Sequence, residues 1–167
     1  ILLMPTGHGK SAIFLLASLL LPGVTIVVAP LVSLIDDQVR VLQDMGVGRV
    51  VGLRAGKADD PNVLNALLIF VSPERLYIPS FCKRLEAILS TTGLDLMVVD
   101  EAHSVSEFGH SFRPAYLGFR HRLQKVALEA GATEALVTVG LTATAVAGVV
   151  EDVCTQMELQ LEPIALH

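Results

Sequence analysis

The sequence predicts an α/β fold in three layers, with a mostly parallel sheet carrying helices on both faces. Three observations support this. Short Val/Ile/Leu runs alternate with amphipathic segments of helical length, the pattern of βαβ units. Hydrophobic residues make up 52% of the 167 positions and charged residues only 17%. The mean hydropathy of +0.61 is therefore high, yet the longest apolar run, 12–21, contains Ser18 and stops at Pro22-Gly23. That run falls well short of the ~20 residues a membrane-spanning helix needs. Strands buried on both faces explain the hydropathy without a membrane. Finally, polar turns follow five of the apolar runs, and in a parallel sheet such turns share one edge.

Taken in order, the apolar runs place strands at 1–4, 25–29, 49–53, 67–71, 96–100 and 136–141. Helices are expected at 10–20, 31–45, 80–90, 115–129 and 145–157. The second helix shows the reasoning. Leu31, Leu34, Ile35, Val39, Leu42 and Met45 recur at steps of three and four, while Asp36, Asp37, Arg40, Gln43 and Asp44 fill the other face. Gly46 then ends it. The polar stretch 54–62 reads as a surface loop within a single domain, since no repeat or Pro/Ser linker divides the chain. The chain does not begin with Met, and residue 1 falls inside the first strand, so upstream sequence is expected.

The formal net charge is -5, so the basic footprint usual for nucleic-acid binding is missing; any such contact needs a local groove. The two cysteines, Cys82 and Cys154, have no metal-binding spacing and are expected as thiols in a reducing compartment. The sequence shows no basic segment followed by a cleavage site, so no secretory signal is expected.

Two stretches carry chemistry. At 4–11, MPTGHGKS matches the P-loop form at Gly9-Lys10-Ser11, although Met4 stands where the strict pattern has its first Gly. Thr6, Gly7, His8 and Gly9 can curl the backbone so that amides point inward. A helix starting at Lys10 adds its N-terminal dipole. Lys10 offers a cation to the β- and γ-phosphates of a nucleotide, and Ser11 offers a hydroxyl to Mg²⁺. His8 occupies a variable position of such a loop. At 94–103, LDLMVVDEAH ends an apolar strand on two carboxylates. Asp100 there is costly unless a cation faces it, and a Mg²⁺ shared with Ser11 would supply one. Glu101 could then activate the attacking water.

Taken together, the motifs resemble the first RecA-like domain of superfamily 2 helicases of the DEAH type, and the RecQ-like DNA helicases in particular. MPTGHGKS looks like motif I, VVAPLVSLIDDQV like motif Ia, FVSPERL like motif Ib, VVDEAH like motif II and GLTATA like motif III. The run SEFGHSFRP, 106–114, resembles the aromatic-rich loop of RecQ helicases, with Phe108 where the family usually has Trp and Ser111 where it commonly has Asp. The likeness covers essentially the whole chain, in family order.

It implies a RecA-like P-loop NTPase fold, ATP and Mg²⁺ as cofactors, and the ATP-binding lobe of an enzyme that unwinds DNA in the 3′-to-5′ direction. Thr6, Gly7, His8, Gly9, Lys10 and Ser11 would hold the triphosphate, and Ser11 and Asp100 the Mg²⁺. Lys10, Asp100, Glu101 and His103 would form the catalytic set, with His103 joining the nucleotide site to the aromatic-rich loop. Ser33, Pro73 and Arg75 would lie along the DNA, and Phe108, His110, Phe112 and Arg113 would sense single-stranded or partly duplex DNA. Thr142 and Thr144 would couple hydrolysis to movement. The family needs a second RecA-like lobe, which supplies arginine fingers and is not in this chain; weak or no turnover is expected without it. The resemblance also implies an intracellular setting without a membrane, nuclear in a eukaryote and cytoplasmic in a bacterium, and work in DNA repair and recombination. Two alternatives remain at this level: a remnant that binds nucleotide or a protein partner without hydrolysis, and a P-loop small-molecule kinase.

Overall fold

The chain is described by a computed structural model over residues 1–5, 7–53, 61–106, 113–143 and 146–159. Its strands are β1 (Leu2–Leu3), β2 (Val24–Val28), β3 (Val50–Leu53), β4 (Leu68–Val71), β5 (Leu94–Val99) and β6 (Thr138–Thr142). Its α-helices are α1 (Lys10–Leu20), α2 (Val32–Asp44), α3 (Pro79–Thr92), α4 (Phe119–Glu129) and α5 (Ala147–Gln156). Short 3-10 turns occupy Pro61–Asn65, Pro73–Tyr77, Ala102–Val105 and Pro114–Tyr116. None of the described helices is long and apolar enough to cross a membrane.

The six strands form one sheet in the order β1-β6-β5-β2-β4-β3, and every described pairing is parallel. Strand alternation divides the core between two faces. Val27, Leu68, Phe70, Leu96 and Val98 point to one face and pack with Phe14 of α1 and with Ile35 and Leu42 of α2. Ile26, Val28, Ile69, Val71, Met97 and Val99 point to the other and pack with α3, α4 and α5 through residues such as Leu85, Leu123 and Val153. This is the three-layer α/β arrangement that the near-continuous apolar strands demand. On the first face, Phe14 meets Phe70 edge to face, with centroids 5.8 Å apart.

Element ends depart from the sequence expectations in instructive ways. Helix α1 occupies the expected residues, whereas the helix expected from residue 115 starts only at Phe119. Pro114 begins a 3-10 turn instead, and Gly118, at φ 71, resets the chain before α4. The first strand, expected at 1–4, is reduced to Leu2–Leu3 at the edge of the sheet beside β6. The ladder continues only as far as the Met4 amide, which donates to the Thr142 carbonyl at 3.0 Å.

Gly52 shows how closely α2 lies on the sheet. A Cβ there would sit 2.9 Å from Ile35 Cγ2 and 3.2 Å from Val39 Cγ2. Gly52→Ala is expected to lower stability by about 1–3 kcal/mol through overpacking, read as a reduced denaturation midpoint with an unchanged slope.

Candidate active site

Parallel strands bring their carboxyl ends, and the turns that follow, to one edge. Because β6 lies between β1 and β5, Thr142 at its end falls between the glycine turn after β1 and the acids after β5.

Open space surrounds the two glycines of the turn. Gly7 and Gly9 take φ of +79 and +85, and a Cβ on either would meet nothing within 4 Å. Gly9 caps α1 in the left-handed region without any side-chain cap bond, and the first turn of α1 carries no acid. The amides at this end thus remain suited to an anion. His8 is exposed at the apex, with its amide 3.3 Å from the Pro5 carbonyl. Ser11 lies in the first turn of α1 and also lines an apolar groove between α1 and α2.

Among the described residues the buried Lys10 ammonium nitrogen has no hydrogen-bond partner, and its nearest counter-charge is Glu101 Oε1 at 3.9 Å. A buried ammonium left without hydrogen bonds costs several kcal/mol unless an anion completes it. Glu101 itself adopts φ 49, unusual for a residue with a side chain. That left-handed turn swings the chain out of β5 into the Ala102–Val105 turn. The Glu101 carboxylate lies between Lys10 and His103, whose Nδ1 is 3.3 Å from Oε2. The same Nδ1 lies 3.0 Å from Thr142 Oγ1. The tautomer of the ring sets which of the imidazole and the threonine hydroxyl donates. His103 therefore joins the acid turn to the end of β6.

Asp100 continues the β5 ladder, its amide donating to the Val28 carbonyl at 2.9 Å. Its Oδ1 accepts the Glu101 amide at 3.0 Å. Burial, and then the Glu101 charge, hold the Asp100 carboxyl above the usual carboxylate range, against the pull of that amide, Lys10 and His103. This corner carries unsatisfied cationic and anionic groups side by side. That donor set fits a Mg-nucleotide: phosphates for Lys10 and the amides at the start of α1, and a divalent cation for Asp100 and Ser11. Among the described residues no three His, Cys, Asp or Glu side chains cluster as a self-sufficient metal site. Mg²⁺ does not need one, since it binds through one or two carboxylates plus substrate phosphates.

The other expected residues are placed less uniformly. Ser33 is exposed in the first turn of α2, which has no acid and no side-chain cap. Pro73 and Arg75 are turned inward instead of lying along an open strand path. Arg75 is 7% exposed, because its guanidinium stacks 4.6 Å from the Phe81 ring centroid. Arg113 is partly exposed and pairs with Glu74 at 3.8 Å. Thr6, Phe108, His110, Phe112 and Thr144 lie outside the described residues. Sequence reasoning missed the His103–Thr142 contact, the Glu74 partner and buried Tyr116. No spacing signal marks them, since each arises where non-adjacent turns meet.

A family model described as DEAD/DEAH box helicase matches residues 1–153. The chain is 34% identical over 167 residues to the ATP-dependent DNA helicase RecQ of Bacillus subtilis (strain 168), covering 96% of this chain and 27% of that protein. It is 38% identical over 175 residues to the ATP-dependent DNA helicase Q5 of Rattus norvegicus, covering 97% of this chain and 17% of that one. The chain thus spans about a quarter or less of these curated relatives. Among solved structures, the DUF1998 helicase MrfA bound to DNA and AMPPNP superposes with a TM-score of 0.74 at 16% identity, over 98% of this chain and 24% of that one. The Pyrococcus furiosus Hef helicase domain gives 0.65 at 20%, over 95% of this chain and 33% of that one. At these identities the likeness is one of fold, the three-layer RecA-like α/β architecture of helicase domains.

The raised Asp100 carboxyl sets a pH dependence. Folding disfavours its charged form, so its contribution to stability is present in acid and is lost as pH rises through the raised value. Asp100→Asn should therefore raise the Tm of the ligand-free protein at neutral pH. The difference should close in acid, where Asp100 is protonated in both folded and unfolded chains. A Tm gap that stays constant with pH would contradict this.

Proposed function

The chain belongs to the DEAD/DEAH box helicase family, and from that premise we propose that it forms the ATP-binding lobe of a RecQ-like, ATP-dependent 3′-to-5′ DNA helicase. The observation that carries the reading is the buried, unbonded Lys10 ammonium set 3.9 Å from Glu101 at the mouth of an open glycine turn.

In this reading the glycine turn, the amides at the start of α1 and the Lys10 ammonium would hold the triphosphate tail, while Ser11 and Asp100 would hold Mg²⁺. The bound Mg²⁺ supplies charge neutralisation and orients the phosphates. Once phosphate oxygens engage Lys10, Glu101 loses that counter-charge and becomes free to take a proton from water at its carboxylate. His103 keeps Glu101 aimed through Nδ1 and passes its position to Thr142 on β6. Thr142 and Thr144 then couple hydrolysis to movement.

DNA contact needs a local surface on a chain whose net charge is -5. The exposed, uncapped and acid-free start of α2 at Ser33 offers backbone amides to a phosphate. Arg113 can exchange its partly exposed Glu74 pairing for a phosphate, and Phe108, His110 and Phe112 complete the contact by stacking. Arg75 acts indirectly by fixing the Pro73–Tyr77 turn. The remaining transition-state charge falls to arginine fingers of a second RecA-like lobe, groups worth about 10³–10⁵ in rate. The full protein works where DNA is, in a nucleus or a bacterial cytoplasm, in repair or recombination.

The test compares the wild-type chain with Lys10→Ala and Glu101→Gln, in nucleotide binding and in ATPase rate with and without single-stranded DNA. Lys10→Ala should weaken Mg-ATP binding by about 10–100-fold, the loss of a charge-assisted contact of about 1.5–3 kcal/mol. Glu101→Gln should keep binding and remove whatever turnover the chain shows. Unchanged binding in Lys10→Ala refutes the reading. Turnover indifferent to DNA points to phosphoryl transfer without a nucleic-acid role, and equal background rates in all three point to binding without hydrolysis.

A further inference from the structure

Gly140 sits in the middle of β6, where a glycine weakens a strand and often marks a close approach of another piece of backbone. The acid turn makes that approach. A Cβ at Gly140 would lie 3.3 Å from Ala102 Cβ, 3.5 Å from Ile1 Cγ1 and 3.7 Å from Met157 Cε. The last two are ordinary contacts with flexible side chains. The first is shorter than the about 3.5–4.0 Å at which two carbons attract best, and Ala102 Cβ is fixed to its own backbone.

Ala102 can yield only by taking the turn with it. It is fully buried and opens the Ala102–Val105 turn, which packs against both β6 and α5. Residues 140 and 142 project from the same face of β6, because side chains alternate along a strand. Two successive residues of the turn thus rest on one face of the strand: Ala102 against Gly140, and His103 against Thr142, with Nδ1 3.0 Å from Oγ1. Glu101 precedes them in its left-handed conformation, its carboxylate 3.9 Å from the Lys10 ammonium and 3.3 Å from the His103 ring. The distance of the turn from β6 is therefore set at Gly140, and a small outward shift there is passed to these polar contacts. The Asp100 amide is held separately by the Val28 carbonyl. Asp100 therefore stays with the sheet when the turn beyond it moves.

We propose that Gly140 is a positioning residue: its missing side chain seats the Ala102–Val105 turn on β6 closely enough for His103 to reach Thr142 and for Glu101 to face Lys10. It touches no reacting atom and acts through Ala102. Its bearing on hydrolysis rests on the nucleotide reading above, whereas the seating is a property of the ligand-free chain.

The test reads the His103 imidazole nitrogens by NMR in the ligand-free chain, with their signals assigned by their loss in His103→Gln. Thr142→Val supplies the spectrum of a ring without the threonine hydroxyl. Gly140→Ala should move the His103 signals most of the way from the wild-type values toward those of Thr142→Val. The double variant Gly140→Ala/Ala102→Gly removes the obstructing methyl and should bring them back, the non-additivity expected of residues in contact. Gly52→Ala overpacks the opposite face of the sheet and should leave the signals in place, which separates lost seating from lost stability. Wild-type signals in Gly140→Ala, or signals that Ala102→Gly fails to restore, overturn the inference. If Gly140→Ala does not fold, the double variant should, and its failure to fold overturns the inference as well. Titration of the wild-type chain with Mg·ADP keeps the two readings apart: absent binding overturns the nucleotide reading alone, and the His103 signals decide the seating in either case.

Discussion

A lysine ammonium, two carboxylates and an imidazole are confined to one partly dehydrated corner of the molecule, and none of them is well satisfied by the others. Lys10 has a counter-charge at 3.9 Å but no hydrogen bond. Asp100 is kept above its usual range by burial. Glu101 holds a backbone conformation that costs free energy. Folding must overcome these local penalties, and the hydrophobic faces of the sheet supply the means. A ligand carrying negative oxygens and a divalent cation would remove most of them at once. On the nucleotide reading proposed above, these penalties are the preorganisation of the site.

The fold was legible because its signal is repeated. Each strand is a compact apolar run, and each connecting helix has a two-sided pattern, so an error at one element does not disturb the rest. What escaped was local. The 3-10 turns at Pro73–Tyr77 and Pro114–Tyr116 have no periodicity long enough to read. The helix expected from residue 115 failed because Gly118 and Pro114 outweighed an apolar pattern that continued through Ala115 and Leu117.

The site was legible to the extent that its chemistry is contiguous in sequence. Gly7, Gly9 and Lys10 form one turn, and Asp100 and Glu101 form another; the parallel sheet alone suffices to bring the two together. Partners drawn from a third element were not visible. The His103–Thr142 contact requires knowing that β6 inserts between β1 and β5. The inward turn of Arg75 requires knowing that Phe81 lies within reach. A charged side chain read as solvent-facing from sequence can equally well serve as packing material, since its stem is apolar and its head can rest on a ring.

The pairing of β1 with β6 has a consequence for how the molecule comes into being. Leu2 finds its neighbour in Leu141, so almost the whole chain separates the two partners. During synthesis at about 5–20 residues per second, the glycine turn emerges on the order of ten seconds before the strand that anchors it. Contacts between such distant segments are slow to close. The turn that follows β1 is therefore among the last parts of this sheet to be fixed in place, and the corner it shares with Asp100 and Glu101 cannot assemble before β6 has been made.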